Sequence, residues 1–152
     1  MVEVVTVLAI FVIMASIASV YMSRYVNNTN LRTAARQLAS DMSKMKGNAV
    51  SKTDNSYTIF FNKTTNIYAM IETIPSQPPY PLINTQTNSL TSFGQGITFD
   101  TLPGGGSTYT LNFLARGTLG SLGTITIKNS IGSSSNIVFS ILGKTYVTYT
   151  MQ

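Results

Sequence analysis

The chain has 152 residues with no Cys and no His, so no disulfide can staple it, and the commonest metal ligand and general base are both missing. Its five acids, Glu3, Asp41, Asp54, Glu72 and Asp100, are scattered, which argues against acid–base or metal catalysis; no enzyme activity, cofactor or metal is expected. The net charge of +5 is uneven: residues 1–52 hold six basic side chains against two acidic ones (+4), and residues 53–152 hold four against three (+1).

Val4 to Met22 is a run of 19 residues without a charge, Gly or Pro. As a helix at ~1.5 Å per residue it spans about 29 Å, enough to cross a bilayer core. Its β-branched residues also suit a strand, but a strand this long is rare, so the length selects helix. Small residues and hydroxyls at Ala15-Ser16-Ile17-Ala18-Ser19 mark its weakest stretch. The helical pattern then continues. Leu31, Ala35, Leu38, Met42, Met45 and Ala49 recur at alternating spacings of four and three, one stripe of a helix, while Arg32, Arg36, Lys44 and Lys46 fall off it. The first Gly is Gly47 and the first Pro is Pro75. The pattern predicts one helix over about 2–52, apolar all round in residues 1–24 and amphipathic in residues 25–52.

From residue 53 the period becomes that of strands. Tyr57–Phe61 and Ile67–Glu72 flank Asn-Lys-Thr-Thr-Asn, a hairpin signal. Pro75, Pro78, Pro79 and Pro81 argue for a loop, and residues 82–95 are polar and carry no clear period. Five further runs follow: Gly96–Asp100, Tyr109–Leu114, Gly123–Asn129, Asn136–Leu142 and Thr145–Met151. Ile97 shares a face with Phe99, Tyr109 with Leu111 and Phe113, and Ile125 with Ile127. Packing such faces on the Leu31–Ala49 stripe gives an α+β architecture: a long N-terminal helix against an antiparallel sheet, with residues 53–152 as a β-rich head. That head is nearly neutral and solubilised by Ser, Thr and Asn, which suits an extracellular part better than a nucleic-acid groove. Gly104-Gly105-Gly106 lacks the Lys-Ser/Thr and following helix of a phosphate-binding loop and is read as a strand connection.

An apolar start with one early acid, leading into an amphipathic helix and then strands, resembles type IV pilins and type II secretion pseudopilins. The residues that carry it are Met1-Val2-Glu3-Val4-Val5-Thr6-Val7-Leu8-Ala9-Ile10. In that family a leader is cut before a methylated residue, and a Glu stands fifth in the mature chain. Glu3 takes that place with two further residues ahead of Met1, which is the expectation. A Pro common about 17 residues after the family's Glu is replaced here by Val20, so no Pro-induced break is expected. Leu31–Asp41, Phe113–Thr118, the strand ending in Ile125-Thr126-Ile127, and Ile137–Lys144 narrow the resemblance to pseudopilin H and the FimT-type minor pilins, with Gly143-Lys144 where the family often has Gly-Arg.

The resemblance implies a pilin fold and a non-catalytic structural subunit of a type IV pilus-like extracellular filament. The alternatives are a minor pseudopilin of a type II secretion system and a DNA-binding minor pilin for uptake, with Arg116, Lys128 and Lys144 as the DNA-facing cations. The implied partners are further copies of the chain in a helical homo-oligomer and an inner-membrane pilus assembly machinery. The implied location is a bacterial inner membrane before assembly and the cell exterior afterwards. Glu3 then neutralises a neighbouring copy's N-terminal amine and sets subunit register, because a buried charge is tolerable only when paired. Val4, Val7, Leu8, Phe11, Val12 and Met14 pack in the filament core. Leu31, Ala35, Leu38, Met42, Met45 and Ala49 join helix to sheet rather than to a coiled-coil partner. A cleaved secretory signal and a plain single-pass anchor are weaker readings of residues 4–22. The helical pattern continues past the signal's candidate cleavage site, and the start is acidic rather than basic. Phe11, Tyr21 and Tyr25 are read as packing or interface aromatics.

Overall fold

The computed structural model describes residues 2–74 and 82–152; the proline-rich loop expected over Pro75–Pro81 lies outside these. One uninterrupted helix, α1 (Val2–Ser51), makes up the first third of the chain. It contains no Pro and a single Gly. Four of its hydroxyls fold back onto it: Thr6, Ser16, Thr33 and Ser43 each donate to the carbonyl four residues back, at 2.6–3.0 Å. The Ala15–Ser19 stretch, expected to be weakest, is helical, and Ser16 Oγ is 2.6 Å from the Val12 carbonyl.

Eight strands follow: β1 (Ser56–Asn62), β2 (Ile67–Ile74), β3 (Leu82–Ser89), β4 (Thr98–Thr101), β5 (Thr108–Phe113), β6 (Gly123–Lys128), β7 (Ser134–Phe139) and β8 (Thr145–Thr150). The expected α+β architecture is present, with the antiparallel strands divided between two sheets, in the orders β3-β2-β1-β5 and β4-β6-β7-β8. The chain enters the second sheet at β4, returns to the first for β5 and leaves it again for β6. Residues 82–95, unassigned from sequence, supply β3 and a 3-10 turn at Leu90–Phe93. Gly104 and Gly105 fall in a second 3-10 turn linking β4 to β5.

The Asn62–Ile67 hairpin anchors several elements. Asn62 Oδ1 accepts from Thr64 N and Thr65 N at 2.9 and 3.1 Å. Asn66 adopts φ 55°, a left-handed conformation that Asn tolerates better than most residues. From there its carbonyl accepts from Leu90 N and its Oδ1 from Phe99 N, both at 2.9 Å, tying the hairpin to the turn before β4 and to β4 itself.

Alternation directs Tyr57, Ile59 and Phe61 of β1, Leu111 and Phe113 of β5, Ile125 and Ile127 of β6, and Ile137 and Phe139 of β7 inward. Aromatic rings join the sheets: Phe61 meets Phe99 edge-on at 5.9 Å between centroids, and Tyr109 lies 6.3 Å from Phe139. The helix lies against β1 of one sheet and β7 and β8 of the other, so its buried stripe closes the core that both sheets share.

That stripe includes a carboxylate. Asp41 is 5% exposed, and its oxygens accept from Gln37 Nε2 at 3.0 Å, the Tyr68 hydroxyl at 2.6 Å and Asn88 Nδ2 at 3.5 Å. No cation within ion-pair distance balances it among the described residues. A buried carboxylate without a cation depends on its hydrogen-bond donors. The donors from β2 and β3 therefore fix the first sheet's azimuth on the helix. Burial, with the acceptor Asp41 adding to it, pushes the Tyr68 phenol well above the ordinary tyrosine range and keeps it a donor. A second polar contact lies beyond the helix end, where Glu72 accepts from Tyr57 OH and Asn55 Nδ2, both at 2.8 Å, and sits 3.5 Å from Lys52. These hydrogen bonds, that from Tyr57 first and from Asn55 next, hold the Glu72 carboxyl below the ordinary glutamate range.

Two predictions test these contacts. Tyr68→Phe leaves one Asp41 lone pair without its shortest donor and lowers unfolding free energy by about 1–3 kcal/mol, read from urea denaturation. Because the folded-state pKa of Glu72 is depressed, its stabilisation is present above the unfolded value of about 4.3 and lost as pH falls through the folded value. Glu72→Gln is therefore less stable than the parent at pH 7, and the difference closes in an acid titration followed by circular dichroism.

Candidate functional site: the uncovered half of the helix

The helix changes character at residues 27–31. From Leu31 onward it is striped with buried residues: Leu31, Ala35, Leu38, Met42, Met45 and Ala49 are all under 5% exposed, joined by Ala34 and Asp41. From Val2 to Val26 every residue is exposed, although Arg24 borders a cavity with Ile131 and Gln152 of the head. By length and composition this half is apolar enough to cross a membrane.

The head grips the helix at the changeover. Asn28 Oδ1 accepts from Asn129 Nδ2 at 3.1 Å, and Asn28 Nδ2 donates to the Gln152 carbonyl at 3.3 Å. Asn129 is itself buried, and its Oδ1 accepts from Ile131 N and Ser133 N, which fixes the β6–β7 turn beneath the helix. On another side, Gly94 lies so close to Asn30 that a Cβ there would stand 2.7 Å from Asn30 Nδ2. The uncovered half thus leaves the head along a fixed line, as the continuation of a packed helix.

Glu3, Val4, Val7, Leu8 and Phe11 line one shallow groove along the helix surface. The helix repeat places residues three, four and seven apart on adjoining faces, which brings the acid and these four apolar side chains together. Val12 and Met14, 65% and 63% exposed, stand outside that groove. The arrangement offers dispersion contacts on every face and one carboxylate near the end. In hydrocarbon or in a dry protein interior, such a carboxylate requires a partner. Among the described residues, no three of His, Cys, Asp and Glu gather where they could hold a metal ion.

Three positions important to this geometry stand outside the sequence-derived set: Asp41, Asn28 and Asn129. Asp41 was legible, because it lies three residues after Leu38 and beside Met42 on the stripe. Asn28 and Asn129 are 101 residues apart, and no local pattern pairs them. Comparison with family models, with curated proteins and with solved structures finds no match to this chain.

Residues 2–23 are all exposed, whereas Arg24 borders a cavity with Ile131 and Gln152 of the head; removing residues 1–22 should therefore leave the head's denaturant midpoint unchanged, while the shortened chain moves from the detergent to the aqueous phase on detergent phase separation. A lowered midpoint would show that the head depends on the removed half.

Proposed function

We propose that this chain is a structural, non-catalytic subunit of a type IV pilus-like extracellular filament, held in the membrane by residues 2–26 before it assembles. The observation that carries this reading is the exposure of 25 consecutive helical residues, continuous with a helix that the head does cover. A soluble monomer does not keep so large an apolar surface in water. A bilayer covers it on every side but leaves Glu3 expensive. A bundle of the same helices covers it equally well and can set Glu3 against a neighbouring copy's amine. Lipid and protein interiors are similarly apolar, so the gain on assembly comes from close packing and from pairing the acid.

The α+β head on the second half of the helix supports the same reading, and so does the resemblance of residues 1–10 to pilins. The narrower resemblance to pseudopilin H keeps a minor pseudopilin as the nearest alternative, and abundance separates the two: a major pilin dominates sheared filaments, whereas a minor one is trace. For the DNA-uptake alternative, one of the three head cations is already engaged, with Lys128 Nζ 2.8 Å from the Asp100 carboxylate. A salt-dependent mobility shift with residues 25–152 tests it; no shift at low salt ends that reading.

Glu3→Leu removes the acid and keeps the helix apolar. Cells carrying it should retain the subunit in the membrane and show at least a ten-fold drop in filament number by electron microscopy. Filaments at normal number would reject the register role of Glu3.

A further inference from the structure

Three hairpins in the second half of the head share one hydrogen-bond pattern. In the loops 114–118, 129–133 and 140–144 the first residue's N–H donates to the fifth residue's carbonyl, and the fourth residue's N–H donates to the first residue's carbonyl. The fourth residue is always a Gly with positive φ: Gly117 at 72°, Gly132 at 89° and Gly143 at 66°. This is the three-residue hairpin loop that closes through a left-handed Gly. The third residue does not need a left-handed conformation, and Ile131 and Leu142 do not adopt one. Arg116 does, at φ 78°. An Arg is thus held in a conformation suited to Gly, in a loop whose two siblings do without it.

The loop that carries Arg116 is wedged against the helix and the 140–144 loop. A Cβ on Gly117 would lie 2.8 Å from Val50 Cγ2 and 2.9 Å from Lys46 Cγ, and one on Gly143 would strike the Gly117 carbonyl. Leu119 N donates to the Ile141 carbonyl at 2.8 Å, and Lys46 Nζ donates to the Leu142 carbonyl at 2.9 Å. The two loops form one ledge. On it Leu114, Ile141 and Leu142 are 53%, 52% and 65% exposed, between the exposed cations Arg116 and Lys144. Among the described residues neither cation has a carboxylate within ion-pair distance. The ledge adjoins Lys46, roughly 30 Å further along the helix than Val26, the end of the uncovered half.

We infer that this ledge docks onto an anionic lipid surface, a second membrane facing the end of the head remote from the chain's own membrane segment. Loop-borne leucines flanked by cations are what an interface with acidic headgroups takes: the apolar tips enter the acyl boundary while the cations meet phosphate. A nucleic acid would use the cations and leave three exposed aliphatic side chains idle, so the leucines favour lipid. The left-handed Arg116 supplies one of the two cations that flank the leucines. The ledge's placement relative to the membrane rests on the reading of residues 2–26 as membrane-held.

The test uses the full chain in donor vesicles of neutral phosphatidylcholine. Flotation first establishes that the chain is inserted; chain that stays in the soluble fraction contradicts the membrane-held reading and leaves the ledge to be tested on the soluble chain by the same capture. Fluorescent acceptor vesicles are then added, either pure phosphatidylcholine or with 30 mol% phosphatidylglycerol, a composition chosen to give about the surface charge of an anionic leaflet. Donors are expected to capture the anionic acceptors and not the neutral ones. Arg116→Gly should cut capture about five-fold while raising the denaturation midpoint, because it relieves the left-handed Arg. A lower capture with a higher midpoint cannot come from misfolding. Paired Leu114→Ser and Leu142→Ser should cut capture at least ten-fold. Equal capture of neutral and anionic acceptors, or no capture, overturns the inference. Full capture by the paired serine variant together with loss in Arg116→Gly also overturns it, and assigns the ledge to a polyanion such as nucleic acid.

Discussion

A single helix here has to satisfy two surroundings. Its second half is sealed by its own chain: Leu31, Leu38, Met42 and Met45 face two sheets that close around them. Its first half, Val2 to Val26, has no such cover among the described residues and carries apolar side chains on every face. The two halves are continuous, because the backbone is helical from end to end, through the Ala15–Ser19 stretch as well. Whatever covers the first half is therefore coupled rigidly to the position of the head.

This division separates the residues that fold the head from those left exposed. The contacts that fix the head lie beyond residue 27: the Asn28 and Asn30 grip, the Asp41 hydrogen bonds and the aromatic bridge between sheets. Asp41 illustrates how polar groups specify geometry in such a core. An apolar residue there would carry no such preference, whereas a carboxylate without a cation favours the arrangement that brings it Tyr68 and Asn88 from the sheet. Glu3, on the other half, is exposed.

Much of this was legible in the residues, for identifiable reasons. The helix was clear because fifty residues pass without Pro and the Leu31–Ala49 stripe keeps its spacing. Seven strands were visible because each alternates or follows a Gly-rich turn. β3 was not: as an edge strand it presents Asn84, Thr85, Gln86 and Thr87 to solvent and is held by backbone pairing to β2, which leaves no apolar rhythm. The split into two sheets was also hidden. Strand period reports which face is buried, not which neighbour a strand takes, and β5 leaves its sequence neighbours β4 and β6 to pair with β1. At the uncovered half the apolar run and its acid were plain, whereas the Asn28–Asn129 contact that aims it joins residues 101 positions apart.

The central claim is that copies of this helix cover one another, and the absence of Cys allows it to be tested directly. Single cysteines placed by Val7→Cys, Phe11→Cys or Met14→Cys, with Thr87→Cys on the edge strand as control, report contact between copies through disulfide formation in intact surface filaments. The account predicts covalent dimers from the helix positions, protected from a water-soluble maleimide, and none from Thr87→Cys. Helix cysteines that stay monomeric in filaments, or that the maleimide labels in full, would contradict it.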